Sequence, residues 1–370
     1  MKIGLIVDGL DSERYGPGNY IYNLVENLLK INKDNHYILI HSKKTSCDLY
    51  KKTDEIVAGA SGFLPREIGS FAREFIRVGI LRQQGFDVIH ELSDFATGTP
   101  FLFNLNSKKV ITIQDLSGFL FPDKFHGLGT YYYRFILPKV LKKVDYILVS
   151  SNQTRNDIVY RFDISDDKIR TLYLGVDHNL FKPRDKERVY DFPYILHVGT
   201  EHPLKNLKVA FEAFSRVKKK HKDLKFVKVG GANPEYREIT LRHVKKLGLQ
   251  EDVIFAGYVP ETSLPGIYSQ AQLLIFPSLY EGFGLPVVES MACGTPVVAS
   301  NAGSLPEVVS DAGITVDPYD TDGFSDAIER VLTDDALRKK MIKKGLTWAK
   351  RFTWEKTAEE TLKLYEETAE

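Results

Sequence analysis

Short apolar runs rich in β-branched residues alternate with amphipathic stretches along the whole chain. In the first half, residues 2–8, 36–41, 87–92, 109–115, 146–151 and 169–175 read as strands, and 17–31, 66–84, 130–142 and 152–161 as helices. Runs such as Tyr146-Ile-Leu-Val149 are apolar throughout, which suits strands buried on both faces of a parallel sheet. The second half repeats the pattern, with strands expected at 194–199, 226–230, 253–259, 273–277, 296–300 and 313–317. Its clearest helices are 205–220, 234–247, 285–293 and 322–333, and only helices follow residue 334. Alternation at this spacing predicts a doubly wound α/β architecture with right-handed crossovers, once in each half.

A chain of 370 residues exceeds what one core usually supports, so two Rossmann-like domains are expected. The charged, apolar-poor segment Phe181-Lys-Pro-Arg-Asp-Lys-Glu-Arg188 marks the boundary, placing 1–182 before it and 183–353 after it. Ligands of open α/β sheets sit at the carboxyl ends of the strands, so the expected site is a cleft between two facing sheets. With 50 basic and 49 acidic side chains, bulk electrostatic binding of nucleic acid is not expected. Cys47 and Cys293 lie far apart in no metal-ligand spacing and read as two buried, reduced thiols, which fits a reducing cytosol. The chain starts directly with a strand and lacks both a signal-peptide pattern and the ~20-residue apolar run of a membrane span. A cytoplasmic location follows as the expectation, with peripheral attachment at the inner face of the cell membrane as its variant.

The most informative segment is Phe276-Pro-Ser-Leu-Tyr-Glu-Gly-Phe-Gly-Leu-Pro-Val-Val-Glu289. A buried strand ends, a glycine-rich loop follows, and a helix starts near Leu285 or Pro286, where proline's missing N–H costs nothing. Glycines let the backbone approach a ligand, and the free N–H groups of the helix start favour an anion. Taken alone, Glu281 could cap that helix and Glu289 could be a solvated helix residue. Gly282 and Gly284, bracketing an aromatic directly after a buried strand, favour a ligand loop instead.

Two glutamates separated by seven residues within Glu-Gly-Phe-Gly-Leu-Pro-Val-Val-Glu resemble the signature of retaining family-4 glycosyltransferases. Ser290-Met-Ala-Cys-Gly-Thr-Pro-Val-Val-Ala299 and Asn301-Ala-Gly-Ser-Leu-Pro-Glu307 match its continuation. The resemblance implies a GT-B fold and a sugar transferred from a nucleotide-diphosphate donor to an acceptor hydroxyl. It implies that Glu281 meets donor-sugar hydroxyls, that amides around Gly282, Phe283, Gly284 and Leu285 bind the diphosphate, and that Glu289 meets the ribose. These roles agree with carboxylates as acceptors and helix-start amides as donors.

Gly199-Thr-Glu-His-Pro-Leu-Lys205-Asn206 resembles the family's glycine turn leading into a basic residue and Asn at a helix start. Gly199 and Thr200 would border the donor, and Lys205 would stabilise the leaving diphosphate, where charge builds in the transition state. The family often supplies an Arg as well, at the positions occupied here by Thr200 or Leu204; another residue would have to compensate, and nothing in the sequence favours His202 for that role. Tyr258, in Gly257-Tyr-Val259, falls where the base is expected. Gly16 and Gly18, in Arg14-Tyr-Gly-Pro-Gly-Asn-Tyr20, resemble the N-terminal glycine loop over the donor phosphate; read alone they mark a turn.

Relatives usually carry His-Asp where this chain has Gln114-Asp115, and glutamine can hydrogen-bond a sugar hydroxyl but cannot carry a proton. Asp115 is expected on the acceptor side, as is His90 at a strand end, although a satisfied core histidine is the competing reading. Leu172-Tyr-Leu-Gly-Val-Asp177 with Phe181 resembles a hinge-proximal segment, Leu174 standing in the family's Asn position. Arg351-Phe-Thr-Trp354 resembles the turn before a last helix, 354–370, that crosses back onto the first domain.

Asp320-Thr-Asp322 directly precedes a helical pattern, so capping explains it better than a metal, and neither a catalytic metal nor a cofactor is expected. Arg66, Arg73, Arg77 and Arg82 among Phe71, Phe75, Ile76 and Ile80, with the aromatics Phe119, Phe121, Phe125 and Tyr131 to Tyr133, could rest on an anionic membrane surface, but Glu67 and Glu74 weaken the charge argument and core packing accounts for most of the aromatics. The leading expectation is retaining transfer of a hexose, mannose among the options, from a GDP- or UDP-linked donor to a glycan or glycolipid. A nucleotide-sugar epimerase on the same fold and a non-catalytic glycan-binding relative are the alternatives.

Overall fold

A segment without a polar face must be covered on both sides, and parallel sheets flanked by helices provide that. The computed structural model describes residues 1–11, 17–43, 45–58, 76–92, 99–122, 131–184 and 189–369. The chain divides into two units, Met1–Gly175 with Trp354–Glu370, and Val176–Thr353. The first holds a parallel sheet of β1 (Lys2–Ile6), β2 (His36–His41), β3 (Asp54–Val57), β4 (Val88–Glu91), β5 (Lys108–Ile113), β6 (Tyr146–Val149) and β7 (Ile169–Thr171). Their order is β3-β2-β1-β4-β5-β6-β7. The second holds β8 (Tyr194–Val198), β9 (Lys225–Val229), β10 (Val253–Gly257), β11 (Leu273–Phe276), β12 (Val297–Ser300) and β13 (Ile314–Val316), ordered β10-β9-β8-β11-β12-β13.

Strand order reverses between β1 and β4 in one sheet and between β8 and β11 in the other. Connections leave such a point in opposite directions, which opens a crevice at the carboxyl ends of the strands. The central strands are the most thoroughly buried, all four residues of β11 being inaccessible.

The segment after Gly175 belongs with the second unit, against an expected boundary at 182. Val176 N–H donates to Phe352 O at 3.1 Å, and the buried Phe181 ring meets Tyr268 edge-on at 6.2 Å. The final helix, Trp354–Ala369, packs on the helix Pro17–Ile31 of the first unit. A buried polar chain ties these elements to the sheet. Tyr365 OH lies 2.6 Å from His90 Nδ1, His90 Nε2 2.8 Å from Thr112 Oγ1, and Thr112 Oγ1 3.0 Å from Tyr20 OH. Burial pushes the His90 imidazole down to about 3, so it stays neutral and passes one hydrogen bond on while accepting the other.

Several elements differ from the sequence reading. Strand β3, Asp-Glu-Ile-Val, is a half-exposed edge strand whose charges hid it, and such charges are usual at sheet edges. The strand expected to run to 175 ends at Thr171. The helix expected over 130–142 has a widened turn, Tyr132–Ile136, before Leu137–Lys143; Pro138 lacks the N–H that would bond to the turn before it. The short helices Leu264–Gln270 and Leu305–Val309 show no clear period in so few residues. Of the helix expected at 66–84, the described part is 76–84.

Changing Tyr365→Phe removes one end of the polar chain and leaves His90 Nδ1 buried without that partner. A destabilisation of about 1–3 kcal/mol is expected in urea unfolding followed by a probe in the first unit.

Candidate active site

In the second unit, β8 and β11 are neighbours on either side of the strand-order reversal, and each is followed by one of the two loops singled out in the sequence. Asn206 adopts a left-handed conformation (φ 52°) that asparagine tolerates better than most residues. Its side-chain amide donates to Pro277 O at 3.0 Å and Pro318 O at 2.7 Å. Leu279 N–H donates to Leu204 O at 2.8 Å, joining the two loops through their backbones.

The 277–284 loop is held from below by the segment after β12. Gly303 (φ 58°) lies so close that a Cβ there would stand 2.7 Å from both N and O of Glu281. Ser304 donates its N–H to Glu281 O (3.1 Å) and its hydroxyl to Phe283 O (2.8 Å). Phe283 is buried and edge-on to Phe352 at 5.6 Å, while Gly284 (φ 101°) starts the helix Leu285–Ala292 with Pro286 in its first turn. The loop thus presents a helix start preceded by two glycines, an arrangement suited to an anion.

Lys205 Nζ donates to Glu281 Oε1 at 2.7 Å, both side chains being partly accessible. The ammonium also lies 5.5 Å from the centre of the Phe276 ring. Beneath it is His197, fully buried, its Nδ1 3.1 Å from Ile275 O. Because a carbonyl can only accept, Nδ1 carries the proton. Burial, aided by the Lys228 and Lys205 charges, pushes this imidazole down to about 3. Gly199 (φ 155°) turns directly above the ring, its ideal Cβ position 3.4 Å from Nε2, and Gly230 approaches so closely that a Cβ there would sit 2.3 Å from Gly199 O.

Other charges flank this turn. Lys228 is fully buried, bonds to Gly230 O (2.8 Å) and Gly231 O (3.1 Å), and stands 3.6 Å from Glu201. Arg237 reaches the same Glu201 oxygen at 2.5 Å and lies over the Phe255 ring at 4.1 Å. Burial lowers the Lys228 ammonium to about 8 against the opposing pull of Glu201. The sequence analysis gives no role to Lys228, Arg237 or His197, nor to Glu201 within its quoted segment, because strand and helix periodicity does not reveal which positions of separate elements meet as charges. His202 accepts from Leu204 N–H at 3.3 Å. Thr200 is exposed, and its carbonyl accepts from His202 N–H at 2.9 Å.

Glu289, in the helix Leu285–Ala292, is 8% exposed and accepts from Tyr268 OH at 2.7 Å. Burial pushes its carboxyl up to about 7, against the Tyr268 hydrogen bond. Tyr258, just beyond β10, is 61% exposed. Lys205, Glu281, Gly282, Phe283, Gly284, Leu285, Glu289, Gly199, Thr200 and Tyr258 therefore all lie on segments of the second unit.

Gln114, Asp115, His90 and Gly18 belong to the first unit. Gln114 lies at a tight pocket lined also by Tyr20, Thr112, Ser150 and Leu174, and its carbonyl accepts from Ser150 OH at 2.8 Å. Asp115 accepts from Ser117 N–H at 2.7 Å, bracing the turn after β5. Gly18 is buried in the first turn of its helix, and Gly16 lies outside the described residues. His90 is corrected: both ring nitrogens are engaged within the core, so it has no ring atom to offer an acceptor.

Asp320 accepts from Gly323 N–H at 2.8 Å and Asp322 pairs with Arg216, so that Asp-x-Asp serves a helix cap and an ion pair. Among the described residues, no three His, Cys, Asp or Glu side chains are grouped to hold a metal ion. Of the suggested membrane stretch, Arg66, Arg73, Phe71, Phe75 and Phe125 lie outside the described residues. Arg77 is corrected: it is fully buried and paired with Asp8 at 2.7 Å. Tyr131 and Phe135 are exposed, with Arg134 5.6 Å from the Phe135 ring centre. Among the described residues no helix is long and apolar enough to cross a membrane.

Residues 181–348 match the family model for glycosyl transferases group 1, and residues 15–180 that for glycosyltransferase family 4. O-antigen chain mannosyltransferase B of Escherichia coli is 33% identical over 70% of this chain and 70% of its own. Among solved structures, a sucrose-phosphate synthase from Thermosynechococcus elongatus superimposes with a TM-score of 0.81 at 24% identity, covering 99% of this chain and 98% of its own. HepE of Anabaena, solved with UDP and glucose, gives 0.81 at 17% identity over 99% and 100%. A helix start with glycines, a lysine and a glutamate at the reversal of a parallel sheet, together with these matches, makes the chain a GT-B glycosyltransferase that belongs to the group 1 and family 4 glycosyltransferases.

Proposed function

We propose that the chain transfers a hexose, with retention of configuration and without a metal, from a nucleotide-diphosphate sugar to a hydroxyl of a glycan or glycolipid. The observation that carries this reading is the Lys205–Glu281 pair beside the start of the helix Leu285–Ala292. An ammonium has three N–H donors and a carboxylate two oxygens, so the pair can keep its bond while each member serves a different end of the donor. Lys205 and the amides of Phe283, Gly284 and Leu285 would take the diphosphate. The second oxygen of Glu281 would accept from sugar hydroxyls, and Glu289 from the ribose. As the C1–O bond to phosphate breaks, negative charge grows on the leaving oxygen, where a fixed cation and fixed dipoles lower the barrier. The acceptor oxygen bonds to C1 on the same face, and its proton passes to the leaving phosphate oxygen. In the first unit, Gln114 and Asp115 would orient sugar and acceptor, with Gly16 and Gly18 near the phosphate.

The mannosyltransferase relative supports mannose as the hexose and a polysaccharide as the acceptor. Lys205 in place of a divalent cation supports metal independence. The exposed Tyr131, Arg134 and Phe135 support peripheral contact with an anionic membrane, by aromatic insertion and charge attraction. The protein would then work in the cytoplasm, at the inner face of the membrane.

Three outcomes are expected. In a thermal-shift panel of nucleoside diphosphates and their sugars with EDTA present, one of GDP or UDP and its sugar should raise the melting temperature clearly above the other nucleotides. Lys205→Ala and Glu281→Ala should each lower kcat by about 10²–10³-fold in a donor-turnover assay; unchanged turnover in both would refute the assignment. Cosedimentation with vesicles rich in anionic lipid should fall with added salt, and should fall for a Tyr131→Ser, Phe135→Ser protein.

A further inference from the structure

Glu289 depends on a neighbour that touches nothing else polar through its side chain among the bonds described. Tyr268, on the helix Leu264–Gln270, is fully buried, and its phenol donates to Glu289 Oε2 at 2.7 Å. The tyrosine is itself fixed: Thr295 OH donates to its carbonyl at 2.5 Å, and its ring is edge-on to Phe181 at 6.2 Å. A buried carboxyl bonded through one oxygen has a restricted rotamer, and its other oxygen, Oε1, is the one left to meet a hydroxyl.

We propose that Tyr268 is a positioning residue for the donor: its hydroxyl holds Glu289 in the geometry and the ionised form that accept the ribose hydroxyls through Oε1. This rests on the reading above in which Glu289 meets the ribose. The titratable groups acting on Glu289 are Tyr268, which favours the carboxylate, and Glu261 in the turn before that helix, which opposes it. Cys293, at the end of Glu289's own helix, is pushed up to about 12 by burial and by the Glu289 charge, and stays a neutral thiol. The neighbouring helices Leu305–Val309 and Asp335–Ala349 bring no described group that acts on Glu289. Burial raises Glu289 to about 7, so protons compete with the donor near neutrality. The Tyr268 phenol is raised well above its usual range, first by burial and then by the Glu289 charge, and remains a donor throughout. Ribose hydroxyls prefer the carboxylate, so donor affinity rises as pH climbs through about 7, and losing the phenol moves that rise to higher pH.

The test is calorimetric binding of the nucleoside diphosphate that the protein prefers, against its 2′,3′-dideoxy analogue, at pH values either side of about 7. In the wild type, the preference for the ribonucleotide should widen as pH rises; a preference independent of pH overturns the proposal whatever the variants do. Tyr268→Phe keeps the ring and should weaken ribonucleotide binding about tenfold at neutral pH while leaving the dideoxy analogue within about twofold. Its donor KM should rise with kcat nearly unchanged. Glu289→Gln should abolish the pH dependence. Should Glu289→Gln bind both nucleotides as the wild type does, the ribose reading itself fails. Should Glu289→Gln lose the preference while Tyr268→Phe keeps it with an unshifted pH profile, only the role of Tyr268 fails.

Discussion

The hydrogen bonds that join the loop after β8 to the loop after β11 fix everything else about the candidate site. Leu279 N–H on Leu204 O and the two bonds from the Asn206 amide hold the loops in register. Lys205 and Glu281 inherit their 2.7 Å contact from that register rather than from their own flexible stems. A lysine has several rotatable bonds, so an isolated one would make a poor fixed charge. Here its neighbour in sequence is pinned twice to backbone carbonyls, and Gly303 and Ser304 brace the opposing loop. Preorganisation of this kind lets a charge act on a transition state without first being ordered.

Electrostatics around the turn follow from burial more than from the count of charges. Lys228, Glu201 and His197 are all inaccessible, and each is handled differently. Lys228 shares Glu201 with Arg237 and gives its remaining donors to Gly230 O and Gly231 O. His197, with cations acting on it from Lys228 and Lys205, remains uncharged. A neutral ring under the Gly199 turn avoids adding a third positive charge where desolvation is most expensive. The cations of this group that solvent reaches are Arg237, held on Glu201, and Lys205, held on Glu281.

The fold was largely legible because parallel strands buried on both faces leave an unmistakable apolar run, as at Leu273–Phe276. The edge strand β3 was not, since a strand with one neighbour and solvent beside it can carry Asp and Glu and still pair. At the site, the loop Glu281–Leu285 was legible because glycines and a proline in a helix's first turn leave a local trace, whereas Lys205 was legible only through the resemblance of its segment to the family, since a lone lysine reads as a surface residue. The groups that hold them were not. Nothing in the neighbourhood of Tyr268 or Lys228 along the chain announces that these side chains meet a carboxylate from another element. For His90 the sequence offered two readings, an acceptor-side group and a satisfied core histidine, and the structure has the second: the final helix covers it with Tyr365.

That final helix has a consequence for the order in which the protein is made. The bond between His90 and Tyr365 spans 275 positions of sequence. On a ribosome, the helix Pro17–Ile31 and the sheet behind it emerge before the 176–353 unit and lack their covering helix until residues 354–369 have followed it. The intervening 176–353 unit is complete before then and can fold first, inserted into an unfinished neighbour. During that interval the apolar surface that Trp354, Leu364 and Tyr365 later bury stands open to water, so the first unit's core closes only when chain positions on both sides of the second unit meet.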